Sequence, residues 1–194
     1  MGLRTTWLLL STVSTLMLTS CGSGLNDSFF FNPSLNATTV FMGDSITQRW
    51  PLPDHNQGIS GETTAQMLVR FNADVIGYGY KRVVILGGTN DTARNPFDPS
   101  DVSHNIDAMS SMAQSAGMEV VLCTIPPVFG SSLHNERVIS ANQAIIALAT
   151  AKGFLLVDYF SSLNGHPEDF VDGIHPNTSG YTVMERTLAE TVTQ

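Results

Sequence analysis

The sequence predicts a three-layer α/β/α sandwich built on a mainly parallel, five-stranded sheet. Two patterns and a size carry this reading. Short apolar runs alternate along the chain with amphipathic stretches of helical length, which is the signature of βαβ units covered on both faces. Several runs stop abruptly at Gly, Asp or Pro, the residues of tight turns at strand ends. At 194 residues, with 42% hydrophobic and 13% charged residues, the chain is long enough for one sizeable core and short for two.

Taken in order, the first run, Thr38 to Met42, breaks at Gly43-Asp44-Ser45. Ser45 is thereby placed at the carboxyl end of a strand, where open α/β sheets gather their ligands. Asn56 to Ser60 is a second short strand. Gly61-Glu62-Thr63-Thr64 opens a helix whose apolar residues Met67, Leu68, Phe71, Val75 and Ile76 share one face. Arg82 to Leu86 is a third strand, stopped by Gly87-Gly88-Thr89-Asn90-Asp91. Asp98-Pro99 starts a second helix carrying Ile106, Met109, Met112 and Ala113, and Gly117 ends it. Met118 to Ile125 is a fourth strand closed by Pro126-Pro127. A third helix runs from about Asn135 to Lys152, and Phe154 to Asp158 is the fifth strand. The last helix follows Pro176, with Tyr181, Met184, Leu188 and Val192 on one side. The crossovers between parallel strands are expected to be right-handed.

The amino-terminal segment has a different character. Arg4 precedes an apolar stretch, Trp7 to Leu18, that ends in small residues, as a secretory signal does. It falls short of the roughly 20 residues a membrane-spanning helix requires. Leu18-Thr19-Ser20-Cys21 resembles the lipobox of bacterial lipoproteins, in which the cysteine thiol takes a lipid and becomes the new amino terminus. The expected organisation is therefore a lipoprotein signal peptide over 1–20, a flexible Gly/Ser/Asn-rich tether over 21–36 and a single folded domain over 37–194. Lipidation at Cys21 implies a membrane partner through a lipid anchor. The implied location is the bacterial cell envelope, on the outer membrane or periplasmic face rather than in the cytoplasm. Cys123, the second of two cysteines, is left without a disulfide partner and lies in an apolar run, as core residues do.

Charge narrows the partners. Nine Lys and Arg against seventeen Asp and Glu give a net charge of −8, and no basic run exists, so nucleic acid is excluded as a partner.

The remaining chemistry lies in Val171-Asp172-Gly173-Ile174-His175-Pro176. A loop broken by glycine and stiffened by proline can let the Asp carboxylate accept a bond from His Nδ1–H while Nε2 faces outward. A serine hydroxyl needs such a base before it becomes a nucleophile. Gly43-Asp44-Ser45-Ile46, Gly61, Gly88-Thr89-Asn90-Asp91 and Asp172-Gly173-Ile174-His175-Pro176 together resemble the four motif blocks of the SGNH (GDSL-type) hydrolases, in the family's order and across nearly the whole domain. The resemblance implies a flavodoxin-like SGNH fold and a serine esterase that hydrolyses short-chain acyl esters of a carbohydrate or lipid-like substrate. It implies Ser45 as nucleophile, His175 as general base and acid, and Asp172 as the residue orienting His175. It further implies an oxyanion hole made by the Ser45 and Gly61 N–H groups and the Asn90 amide. It implies no cofactor and no metal. Trp50, soon after the nucleophile turn, is expected to line the substrate pocket. His55, His104, His134 and His166 have no motif context and are expected at the surface. Two other readings compete. One is a surface lipoprotein that binds a glycan or partner without turning it over; the other is a metal-dependent phosphoesterase using Asp172 and His175.

Overall fold

The computed structural model describes Gly2 and residues 32–192. The expected signal peptide, apart from Gly2, lies outside these residues, as do Cys21 and most of the tether. A turn of helix, α1 (Pro33–Asn36), leads into β1 (Thr39–Gly43), which is followed by the single-turn α2 (Ser45–Gln48) and by β2 (His55–Gly58). Next come α3 (Thr64–Asp74), β3 (Arg82–Leu86), the short α4 (Thr89–Thr92) and α5 (Pro99–Ser115). The chain continues through β4 (Glu119–Cys123), α6 (Ser132–Lys152), β5 (Leu155–Val157), α7 (Tyr159–Leu163), a 3-10 turn at Pro167–Asp169 and α8 (Thr178–Val192). The five strands form one sheet in the order β2-β1-β3-β4-β5, and every pairing is parallel. The strand order reverses after β2, between β1 and β3, so the carboxyl ends of these two strands border the crevice where such sheets bind ligands.

The strands alternate between two cores because successive side chains point to opposite faces. Val83 and Ile85 of β3 join Met67, Phe71, Ile106, Val138 and Ile145 beneath α3, α5 and α6. Val84 and Leu86 join Ile46, Trp50, Tyr159, Tyr181 and Leu188 beneath α2, α7 and α8. Burying each large apolar side chain contributes about 1.5–3 kcal/mol, so both layers hold the sheet against its helices.

The helix starts follow local chemistry. Thr63 and Gln66 form a reciprocal capping box at α3, and Asp98 caps α5 with Pro99 as its first residue. Helix α6 begins at Ser132, three residues earlier than expected. The cause is Ser131, whose hydroxyl accepts from His134 N at 3.3 Å. Gly153 then ends α6 in the left-handed conformation, at φ 68°. The short helices α2, α4 and α7 are too brief to show a periodicity in sequence. Each directly follows the end of a strand.

Gly43 closes β1 where α2 folds back on the sheet. A Cβ there would collide with Thr47 Oγ1 and come within 2.6 Å of the Leu86 carbonyl. Gly43→Ala is therefore expected to destabilise the fold by about 1–3 kcal/mol, the cost of overpacking, seen as a lower urea midpoint. An unchanged midpoint would show that α2 is free to lift from β1.

Candidate active site

Ser45 is the first residue of α2, directly beyond the end of β1. The turn is fixed by Asp44, whose Oδ1 accepts from Ile46 N at 2.9 Å. Ser45 and Ile46 are both nearly buried, so the hydroxyl is held by packing as well as by the cap. The opposite side of the site comes from the segment between the 3-10 turn and α8. Phe170 and Pro176 form an isolated antiparallel bridge, Val171 N donates to His175 O at 2.8 Å, and Asn177 N donates to Asp169 O at 2.9 Å. Gly173, at φ 81°, presses on Phe129 so closely that a Cβ would stand 2.6 Å from its carbonyl oxygen. Phe129 N in turn donates to Gly173 O at 2.8 Å. A further strut joins the two halves: Tyr181 of α8 donates its hydroxyl proton to Ile46 O at 2.8 Å.

This framework brings together residues 130 positions apart. His175 Nε2 lies 3.0 Å from Ser45 Oγ, and His175 Nδ1 lies 2.7 Å from Asp172 Oδ2. Asp172 Oδ1 accepts from the backbone N–H of Ile174 at 3.0 Å and of His175 at 2.9 Å. The backbone bond from His175, then its side-chain bond, hold the Asp172 carboxyl down to about 2. Asp172 is thus an anion near neutral pH, and an anionic carboxylate only accepts. Nδ1 must carry the shared hydrogen, which leaves Nε2 to accept from the Ser45 hydroxyl. Burial differs across the group, with the Asp172 side chain about half exposed and the His175 side chain 16% exposed.

Gly61 stands in the loop between β2 and α3, exposed and at φ 81° with open space around its α-carbon. The Asn90 amide reaches across from α4, donating to Glu62 O at 2.9 Å and, more weakly, to Asp44 Oδ2 at 3.3 Å. Asn90 therefore joins the Gly61 loop to the Ser45 turn. Two further groups that the sequence pattern does not reveal brace this loop. Asp91 accepts from Thr64 N at 2.9 Å and from Thr64 Oγ1 at 2.7 Å, so it caps α3 from a distant turn rather than its own. Arg70 binds Glu62 at 2.7 Å and Asp74 at 2.8 Å while donating to Gln57 O and Gly43 O at the ends of β2 and β1. No spacing rule links these residues in sequence, since the partners of Asp91 and of the two strand carbonyls lie 13 to 27 positions away.

Two expectations need correction. Trp50 is not part of the site: it is 3% exposed, packed edge-on against Phe41 and Tyr159 and stacked on Tyr181. The cleft of about 670 Å³ whose wall it touches is lined by neither Ser45 nor His175. Helix α2 is one turn long, so a residue just beyond it is carried back into the core. His134 is not a plain surface residue either. It is partly buried, with Nε2 3.0 Å from Thr92 Oγ1 and 3.2 Å from Thr89 O, where it secures α4. Cys123 is buried, and burial holds its thiol well above the ordinary range, so it is core. Among the described residues no three His, Cys, Asp or Glu side chains converge as a metal site requires.

The family model described as GDSL-like lipase/acylhydrolase matches residues 23–183 of this sequence. The chain belongs to that family. A GDSL-like lipase of Bacteroides thetaiotaomicron is similar in structure, with a TM-score of 0.75 at 30% identity over 82% of this chain and 89% of that one. Two more distant structures share the fold. The lipase/acylhydrolase of Enterococcus faecalis has a TM-score of 0.70 at 21% identity, over 79% of this chain and 94% of that one. An acetylxylan esterase of Geobacillus stearothermophilus has a TM-score of 0.71 at 18% identity, over 79% of this chain and 93% of that one. The N-acylneuraminate cytidylyltransferase of Escherichia coli O18:K1:H7 is 27% identical over 126 residues, which are 61% of this chain. This GDSL-family chain spans only 29% of that curated relative's length. Membership and fold together place the chain among the acyl hydrolases of the GDSL/SGNH type.

Proposed function

We propose that this acyl hydrolase is a serine esterase that cleaves short-chain acyl esters, acetyl foremost, from a carbohydrate or lipid-like alcohol. The observation that carries the reading is the single line of contacts from Ser45 Oγ through both ring nitrogens of His175 to Asp172. Ser45 Oγ attacks the ester carbonyl carbon as its proton passes to His175 Nε2, and the carbonyl oxygen becomes an oxyanion. The N–H groups of Ser45 and Gly61 donate to that oxyanion, and the Asn90 amide joins them by giving up its weaker contact to Asp44 Oδ2. The carbon–oxygen bond to the alcohol then breaks, and His175 gives its proton to the departing oxygen. Water repeats the sequence on the acyl-serine, its proton going to Nε2. The acid leaves, and the proton returns to Ser45. Asp172 stabilises the imidazolium formed at each stage.

Short acyl groups are favoured because the site stands open: Val171 beside Asp172 is 73% exposed, and Gly61 faces solvent. The acetylxylan esterase and the sugar-handling cytidylyltransferase support an acylated saccharide as the alcohol component. The proposal includes attachment to the cell envelope through Cys21, supported by Leu18-Thr19-Ser20-Cys21.

Chromogenic esters of increasing acyl length test the reading. The acetyl ester is expected to give the highest kcat/KM, with at least a tenfold drop by the octanoyl ester, since an open site gains about 1–3 kcal/mol per methylene only where a pocket receives it. A rising series would replace the acetyl assignment with a long-chain one.

A further inference from the structure

The three proposed oxyanion donors come from different elements, and one side chain touches the supports of all three. Packing does little to fix Gly61. Ser60 and Gly61 are exposed, Ile59 is 43% exposed, and the space that a Gly61 Cβ would enter is open. Polar bonds hold the loop instead, and the two shortest converge on the next residue, Glu62. Its carbonyl accepts from the Asn90 amide at 2.9 Å, and its carboxylate accepts from Arg70 Nε at 2.7 Å. The same guanidinium reaches the nucleophile side. Nη2 donates to Gln57 O at 2.8 Å and to Gly43 O, two residues before Ser45, at 3.2 Å. Nη1 donates to Asp74 at 2.8 Å, which fixes the third nitrogen. We propose that Arg70, acting through Glu62, is a positioning residue that sets the Gly61 N–H and the Asn90 amide against the Ser45 N–H. The inference rests on the serine-esterase reading above.

The chemistry of the side chain suits this task. A guanidinium is planar and carries its N–H donors in fixed directions. Bonded to a carboxylate through one nitrogen and to two strand carbonyls through another, it fixes the loop in angle as well as distance. A lysine ammonium supplies the charge without that plane. The Arg70 and Glu62 side chains are only 14% and 16% exposed, which sets the pair apart from freely exposed ion pairs of little worth. The oxyanion forms only on the way through the tetrahedral intermediate, so a displaced donor lowers kcat and leaves KM near its original value. A misplacement of about 1 Å can cost roughly 100-fold. A loop released from Arg70 therefore loses rate without losing a donor.

The test takes the wild type, Arg70→Lys, Glu62→Ala, Glu62→Gln and Glu119→Ala through steady-state kinetics on a chromogenic acetyl ester and through thermal melting. Inhibition by a boronic acid is measured alongside: Ser45 Oγ adds to its boron, and the tetrahedral adduct places an oxygen in the oxyanion hole. Arg70→Lys and Glu62→Ala are each expected to lose about 10- to 100-fold in kcat, less than the roughly 100- to 1,000-fold that a whole donor is worth. Their KM is expected to stay within about threefold, and the boronic acid inhibition constant to rise by about the factor lost in kcat. Glu62→Gln, whose amide oxygen can accept from Arg70 Nε, is expected to keep kcat within about threefold of the wild type. Glu119→Ala breaks the Arg82–Glu119 pair at the amino ends of β3 and β4 and is expected to lower the melting temperature alone. A Glu62→Ala protein with wild-type kcat, or one whose loss lies in KM, overturns the proposal, as does an unchanged inhibition constant. If Arg70→Lys does not fold, the two Glu62 variants decide, and Glu62→Gln as slow as Glu62→Ala overturns it. A merely structural pair would behave as Glu119→Ala does, with a lower melting temperature and an intact kcat. Full activity in Ser45→Ala would instead sink the esterase reading itself.

Discussion

Ser45→Ala is expected to lower kcat on an acetyl ester by roughly 10⁴- to 10⁶-fold, with His175→Ala close behind and the double variant no slower than Ser45→Ala alone. Residues that act as one unit fail as one unit, and their losses do not add. The geometry leads to this outcome because Ser45 Oγ has a base at 3.0 Å. Without the oxygen the base has nothing to activate; without the base the hydroxyl keeps its proton. The Ser45 side chain is small and sits at the first position of α2, so truncating it leaves the Asp44 cap to Ile46 N intact. Loss of activity with an unchanged melting temperature would separate chemistry from folding. Steady-state kinetics on the three proteins checks the result, and two single losses that multiply in the double variant would contradict a shared nucleophile–base unit.

Asp172→Asn is expected to cost about 10⁴-fold in kcat while leaving the loop in place, the size of effect seen when a triad carboxylate becomes an amide. The reason lies in how the two carboxylate oxygens divide their work. Oδ1 accepts from two backbone N–H groups, and an Asn carbonyl can keep both bonds. The amide nitrogen then replaces Oδ2 and presents a donor to His175 Nδ1. Nδ1 must turn acceptor, the ring hydrogen moves to Nε2, and Nε2 can no longer receive the serine proton. Little change in KM and a large change in kcat are expected. Ring-proton NMR on the two proteins checks the tautomer directly, and an Nδ1–H retained in Asp172→Asn would contradict this account.

Much of the architecture was legible from local pattern. Strands β1, β3, β4 and β5 and helices α3, α5 and α8 showed themselves through apolar runs or spacing, because a sheet covered on both faces needs continuous apolar runs and its helices need one apolar side. The meeting of Ser45 with Asp172 and His175 was legible for a different reason: short motifs rich in Gly and Pro mark the turns at which such groups are held. Trp50 was misplaced because nearness in sequence to Ser45 says nothing of direction once a single turn of helix intervenes. The braces from Arg70 and Asp91 were illegible because they join elements through space, to a strand end and a helix start set by the topology.

The two halves of the proposed catalytic pair enter the fold at opposite ends of the polypeptide, Ser45 with the first strand and His175 just before the last helix. A chain still emerging from the ribosome, or one cut ahead of residue 170, carries the hydroxyl but not the imidazole. Esterolytic power on this reading arrives only with completion of the domain.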